Sequence, residues 1–255
     1  MCVQSEAGEI LKSLFLIFSG LFTGFIDSIA GGGGLISLPV LSMILGPGAD
    51  AIGTNKIVGT SAALIALIVY ARAGHMDVKK SAIFTICIAL GSFTGSLITP
   101  HLPRESFRWI FLLLCPFILW VVLKKDFWTQ ERHLHPLKNQ SPLKIGMIGI
   151  LCGIYDGGFG PGGGTFMFLS LLWFARLPLF TALAASKLAN TTSAGVALLS
   201  YASGGFVHWV EGVLMAIGVS LGAFIGARFA TRKASKIVRP ILITVCLLLM
   251  IRFLF

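Results

Sequence analysis

The stretch "GFIDSIAGGGGLISLP", residues 24–39, sets one carboxylate, Asp27, and four consecutive glycines inside an otherwise apolar run. Glycine is a poor helix former and a carboxylate at membrane depth is costly. The stretch therefore predicts a helix that breaks off inside the apolar phase instead of running through it.

The rest of the chain supplies that phase. Of 255 residues, 56% are hydrophobic and 12% charged, and the mean hydropathy of +0.90 lies outside the soluble range. Blocks nearly free of charge, at 13–49, 57–71, 81–103, 109–123, 145–175, 188–210, 212–227 and 240–251, leave no room for a separate soluble domain. They predict an all-α polytopic membrane protein surrounded by the lipid bilayer. The net charge of +10 does not point to nucleic acid, because the basic residues lie in short loops between apolar blocks, as orientation signals do. Cys2, Cys87, Cys115, Cys152 and Cys246 show no CxxC spacing and read as free thiols packed among helices. The opening "MCVQSEAGEILKS" has no basic cluster, and the apolar run after it is too long for a cleaved signal peptide, so it is expected to stay in the mature protein.

The odd feature of the opening occurs twice. Adding 131 to first-half positions puts Lys56 on Lys187, Thr60 on Thr191, Tyr70 on Tyr201, Gly74 on Gly205, Gly91 on Gly222 and Gly95 on Gly226. With an offset of 129, "GFIDSIAGGGG" (24–34) lies over "GIYDGGFGPGG" (153–163) and pairs Asp27 with Asp156. Apolar composition alone would match leucines and alanines, not Lys, Thr and Tyr in register. The chain is read as a first transmembrane repeat over 1–123, a cytoplasmic linker over 124–144 and a second transmembrane repeat over 145–255. The linker's His133 and His135 sit in a basic solvated loop and are not read as a metal site; no cofactor is expected.

Each repeat is expected to hold a glycine-broken or re-entrant segment, about 10–46 in the first, followed by three helices. These are about 52–73, 79–99 and 106–123, then 181–203, 211–228 and 238–254. The basic loops 72–80, 124–144 and 228–239 belong in the cytoplasm. All three share that side only if the segment from about 144 to 176 begins and ends on one side. Each half then makes an odd number of net crossings, which makes the repeats inverted and puts both termini outside. Four simple crossings per half, with parallel repeats, is the other reading.

Irregular backbone at membrane depth costs several kcal/mol for each unpaired polar group unless protein, water or a ligand satisfies it. A short helix starting after "GGGG" (31–34) or "GPGGG" (160–164), with Pro161 at its start, would aim its N-terminal amides and the positive end of its dipole inward. Two such ends facing each other would make an anion site, with Gly32, Gly33, Gly162 and Gly163 exposing backbone to the bound group. The plainer reading is that the glycines serve tight turns and close packing.

Lys56 and Lys187 are the second clue. The apolar block after Lys56 has only about 22 Å of helix, short of the ~30 Å needed, so a spanning helix must contain the lysine. Contact with a substrate anion, an ion pair with Asp27 or Asp156, and snorkelling to the surface are all open for both lysines. Asn55, Thr60, Asn190 and Thr191 add hydrogen-bonding groups on the same turns. Asp27 and Asp156 either carry a coupling proton or accept amides of the glycine loops and hold their shape. Gly91/Gly95 and Gly222/Gly226 read as helix-packing pairs.

The doubled aspartate–glycine cluster and the doubled lysine–threonine motif resemble the sulfite exporter TauE/SafE family, also called the toluene sulfonate uptake permease family. The similarity covers nearly the whole chain. It implies a secondary transporter of the inner (cytoplasmic) membrane for sulfite, sulfonates such as sulfoacetate, or related small organic anions, in either direction. The second copy departs from the first in "DGGFGPGGG" and in Asn190 where the first half has Gly59, so the halves need not bind equally. A passive anion channel is the alternative. An intramembrane aspartyl protease, suggested by Tyr155–Asp156, lacks a second GxGD-type element, and an enzyme is not expected. No GxxxxGK[ST] motif calls for ATP. Proton or sodium coupling and assembly as a homo-oligomer stay open.

Overall fold

The computed structural model describes the backbone of residues 2–103 and 141–254, and the side chains of 8–103 and 141–231. The third helix expected in the first repeat (106–123), the linker as far as residue 140, and with it His133 and His135, lie outside the described residues. Among those described there is no strand. The helices are α1 (Cys2–Ala30), α2 (Gly34–Leu45), α3 (Ala49–Arg72), α4 (Val78–Ile98), α5 (Pro142–Gly158), α6 (Gly163–Trp173), α7 (Leu179–Ser203) and α8 (Trp209–Leu254), with a single 3-10 turn at Thr99–His101. Within them, Gly8–Ala30, Ala49–Arg72, Val78–His101 and Trp209–Thr231 are long and apolar enough to cross a membrane. Large apolar side chains such as Leu11, Phe18, Ile86, Leu90, Leu199 and Leu221 point outward, as lipid-facing residues do.

Both expected breaks are present. α1 stops where Gly31 takes φ +78°, and the matching Gly160 takes φ +91° after α5. A side chain at either position would be strained, so the interruption is written into the residue type. At about 18 and 16 Å, α2 and α6 are too short to span alone. Pro161 does not sit at the start of α6 as expected. It lies one residue before the N-cap, Gly162, because Gly162 adopts the left-handed conformation that turns the chain into the helix. α5 begins at Pro142, whose missing N–H costs nothing in a first turn.

The ends of α3 and α7 repeat each other. His75 N–H donates to the Tyr70 carbonyl at 3.1 Å with Gly74 at φ +78°, and Phe206 N–H donates to the Tyr201 carbonyl at 3.0 Å with Gly205 at φ +78°. The end of the chain differs from expectation. Residues 228–239 form no loop; α8 runs unbroken for 46 residues, about 69 Å. Arg, Lys and Ala are good helix formers, so the basic run does not end the helix.

Packing sorts the helices into two groups. α1 lies along α8, which also packs on α3, and α2 packs on α3; α4 lies along α5 and α7, and α6 packs on α7. Each group joins three helices of one half to one helix of the other. The α3–α7 face is the extensive contact between them. The glycine pairs read as packing pairs do pack: Gly222 and Gly226 press on the Leu21 and Phe25 carbonyls of α1, and Gly91 and Gly95 on the Ile150 and Ile154 carbonyls of α5. Cys87 and Cys152 are free thiols within the bundle.

Candidate functional site

The two breaks meet. Gly31 packs on the backbone of Gly164 and Thr165, Gly34 lies beside Pro161, and the Thr165 hydroxyl donates to the Ala30 carbonyl at 2.9 Å. One polar centre is thus built from both halves, inside helices that are otherwise apolar.

Each lysine crosses to the aspartate of the opposite half. Lys187, on α7, lies 2.9 Å from Asp27 Oδ2 and also donates to the Asp27 backbone carbonyl. Lys56, on α3, lies 3.7 Å from Asp156 Oδ2 and donates to the Asp156 carbonyl. With side chains only 3% (Lys56) and 1% (Lys187) exposed, neither ammonium snorkels to the surface. Of the three arrangements open for the lysines, the ion pair is the one present. The bond to the carbonyl has its own logic: α1 and α5 end just beyond these aspartates, and an ammonium complements the negative end of a helix dipole.

The aspartates are held differently. Asp27 Oδ1 accepts the Gly33 N–H at 3.1 Å, across the break in its own segment. Asp156 Oδ2 accepts the Ser193 hydroxyl at 2.5 Å, while its Oδ1 sits over Gly163, where no side chain could be accommodated. Asn55 accepts the Ser37 hydroxyl from α2 at 2.5 Å, and its amide nitrogen lies near Gly160 with Lys56. The Asn190 amide nitrogen lies near Gly164. Asn55, Asn190 and both lysines therefore gather at the breaks, with Gly32, Gly33, Gly162 and Gly163 in the breaks themselves. Thr60 and Thr191 are set apart: each spends its hydroxyl hydrogen on the carbonyl four residues back, Lys56 and Lys187 respectively, at 2.7 Å.

Four supporting residues are not among the site residues read from the sequence. Ser37 and Ser193 carry no signal, being single serines in serine-rich helices. Tyr70 and Tyr201 do carry one, since they match at the offset of 131. The Tyr70 hydroxyl donates to the Ser28 carbonyl at 2.8 Å, and the Tyr201 hydroxyl to the Gly157 and Gly158 carbonyls at 3.2 and 3.1 Å. Each thus caps carbonyls left over where a helix stops short. Tyr70→Phe should leave the buried Ser28 carbonyl without this donor and cost about 1–3 kcal/mol, measured as a fall in melting temperature in detergent.

Comparison with known proteins agrees with the resemblance. The family model described as "Sulfite exporter TauE/SafE" matches residues 16–253. A "Probable membrane transporter protein ORF9" of Sinorhizobium sp is 34% identical over 254 residues, covering 99% of this chain and 95% of its own. The "Probable membrane transporter protein YfcA" of Escherichia coli K12 is 32% identical over 248 residues, covering 93% and 91%. A "Probable membrane transporter protein" of Haemophilus influenzae is 32% identical over 237 residues, covering 92% and 91%. No solved structure matches significantly.

Proposed function

Because the chain belongs to the sulfite exporter TauE/SafE family of membrane transporters, we propose that it is a secondary carrier of small sulfur-containing anions, sulfite or sulfonates such as sulfoacetate, or of related organic anions. It works in the cytoplasmic membrane with the 124–144 linker on the cytoplasmic side, and catalyses no reaction. Residues 1–123 and 145–255 are its two repeats, of inverted orientation. What supports inversion is the shared side it gives the basic segments 72–80, 124–144 and 228–239, the last of them carried within α8.

One observation carries the substrate reading: two buried ammonium groups meet at two facing helix breaks, among Asn55, Asn190 and glycine backbone. A small oxyanion needs positive charge and N–H donors away from bulk water, which the ammonium groups and amide side chains gathered there can supply. Gly32, Gly33, Gly162 and Gly163 supply backbone to it, Thr60 and Thr191 stand one helical turn beyond its lysines, and Asp27 and Asp156 shape the breaks or carry the coupling ion. In proteoliposomes the wild type should take up labelled sulfite or a short sulfonate faster than empty vesicles do. Lys56→Met should lower that flux at least tenfold when flux is normalised to the folded protein recovered, since Asp156 is left buried without its cation; undiminished flux would remove the lysine from the site. Currents too large for a stoichiometric carrier would favour the channel reading instead.

A further inference from the structure

We propose that the site takes up its anion together with one proton, and that this proton goes to Asp156 and not to Asp27. The inference rests on the carrier reading above.

Each ammonium already has its own carboxylate, Lys56 with Asp156 and Lys187 with Asp27, so the buried centre is electrically balanced. An anion entering it would leave one uncompensated negative charge away from water, which is prohibitive. Balance returns if a proton adds to one carboxylate oxygen as the anion arrives. The released ammonium then turns to the anion, and no other bond forms or breaks.

The two carboxylates are not equivalent for this step. Asp27 receives N–H donors on both oxygens, Lys187 at 2.9 Å and Gly33 at 3.1 Å, and the second of these closes the break. Protonation there would take from Lys187 a carboxylate oxygen held in direct hydrogen-bond contact, the closer of the two ion pairs. Asp156 holds Lys56 more loosely, at 3.7 Å, and its short contact is with a hydroxyl, Ser193 at 2.5 Å. A hydroxyl donates to a carboxylate and can rotate to accept from a carboxylic acid, so the contact survives the change. The Ser193 carbonyl is itself held by the Ser92 hydroxyl at 2.7 Å.

The titratable groups around Asp156 are Lys56 from α3, Tyr201 from α7, Cys152 on its own helix, and Asp27 across the break, already paired with Lys187. α4 presents the hydroxyl of Ser92 and the 3-10 turn after it that of Thr99, and α6 contains no titratable residue.

The test uses the full chain in proteoliposomes with an internal pH dye. The probes are labelled sulfite and labelled methanesulfonate, the second chosen because it carries no proton of its own. The wild type should move one proton with each methanesulfonate and accumulate it down a proton gradient. Asp156→Asn should abolish that accumulation while counterflow exchange becomes independent of pH. Ser193→Ala removes a donor to the ionised form, so it should move the pH midpoint of uptake about one unit to the alkaline side; this readout stands even if the asparagine variant fails to fold. Wild-type methanesulfonate flux without protons, proton-driven accumulation by Asp156→Asn, or an unmoved midpoint in Ser193→Ala would overturn the proposal. A wild type that carries neither probe would overturn the carrier reading itself.

Discussion

Replacing Lys187 with methionine should cost the fold about 3–5 kcal/mol, because Asp27 would be left charged and buried with no cation beside it. The pair is almost fully enclosed, with 1% of the lysine and 6% of the aspartate side chain exposed, so water cannot take the place of the ammonium. The lost bond to the Asp27 carbonyl adds to the cost, since it satisfies backbone at the end of α1. The measurement is the melting temperature and the monodisperse fraction in detergent. Adding Asp27→Asn to the same chain should recover much of the loss, because both charges then go together and Asn Oδ1 can still accept the Gly33 amide. A double variant no more stable than Lys187→Met would show that the lysine supports the fold through its stem and not its charge.

The second large effect is expected where backbones touch. A methyl group on Gly222 would overlap the Leu21 carbonyl, and one on Gly24 would overlap that of Val219. Ordinary overpacking costs about 1–3 kcal/mol, but there a neighbouring side chain gives way. Here the obstacle is a helical carbonyl, so Gly222→Val should exceed that range and separate α1 from α8. Gly195 is the control: a methyl group there meets nothing within 4 Å. In the interior of α7, Gly195→Ala should be neutral or stabilising by up to about 1 kcal/mol. Equal loss in the two variants would mean that helix propensity and not contact sets the cost.

The breaks, the ends of most helices and the packing glycines were legible because each depends on local chemistry. Four consecutive glycines end a helix by their own backbone freedom. The pairing of the charges was not legible. Sequence offered Lys56 and Lys187 either aspartate, and the choice of the opposite half's partner is made by the docking of helices whose paired residues lie 100 and 160 positions apart. Nor did the sequence favour the ion pair over free contact with an anion, since a lone lysine on an apolar helix serves both. The 46-residue run of α8 was missed for a different reason: Arg228, Arg232, Lys233 and Lys236 read as a loop between apolar blocks, but arginine and lysine are good helix formers and do not by themselves end a helix. Tyr70 and Tyr201 were visible as a repeated pair, but a tyrosine's role as a cap appears only once the carbonyls it serves have a position.

The division of the helices into two groups has a mechanical consequence. Among the described residues, the ion pairs that bridge the groups are Lys56–Asp156 and Lys187–Asp27, while Lys12–Glu211 and His208–Asp50 stay within one. If one group rocks against the other, the slip runs along α3 and α7, and neither can travel far without stretching those two ties. The latch of such a machine would be its own cargo bay: whatever loosens an ammonium from its carboxylate also unfastens the hinge.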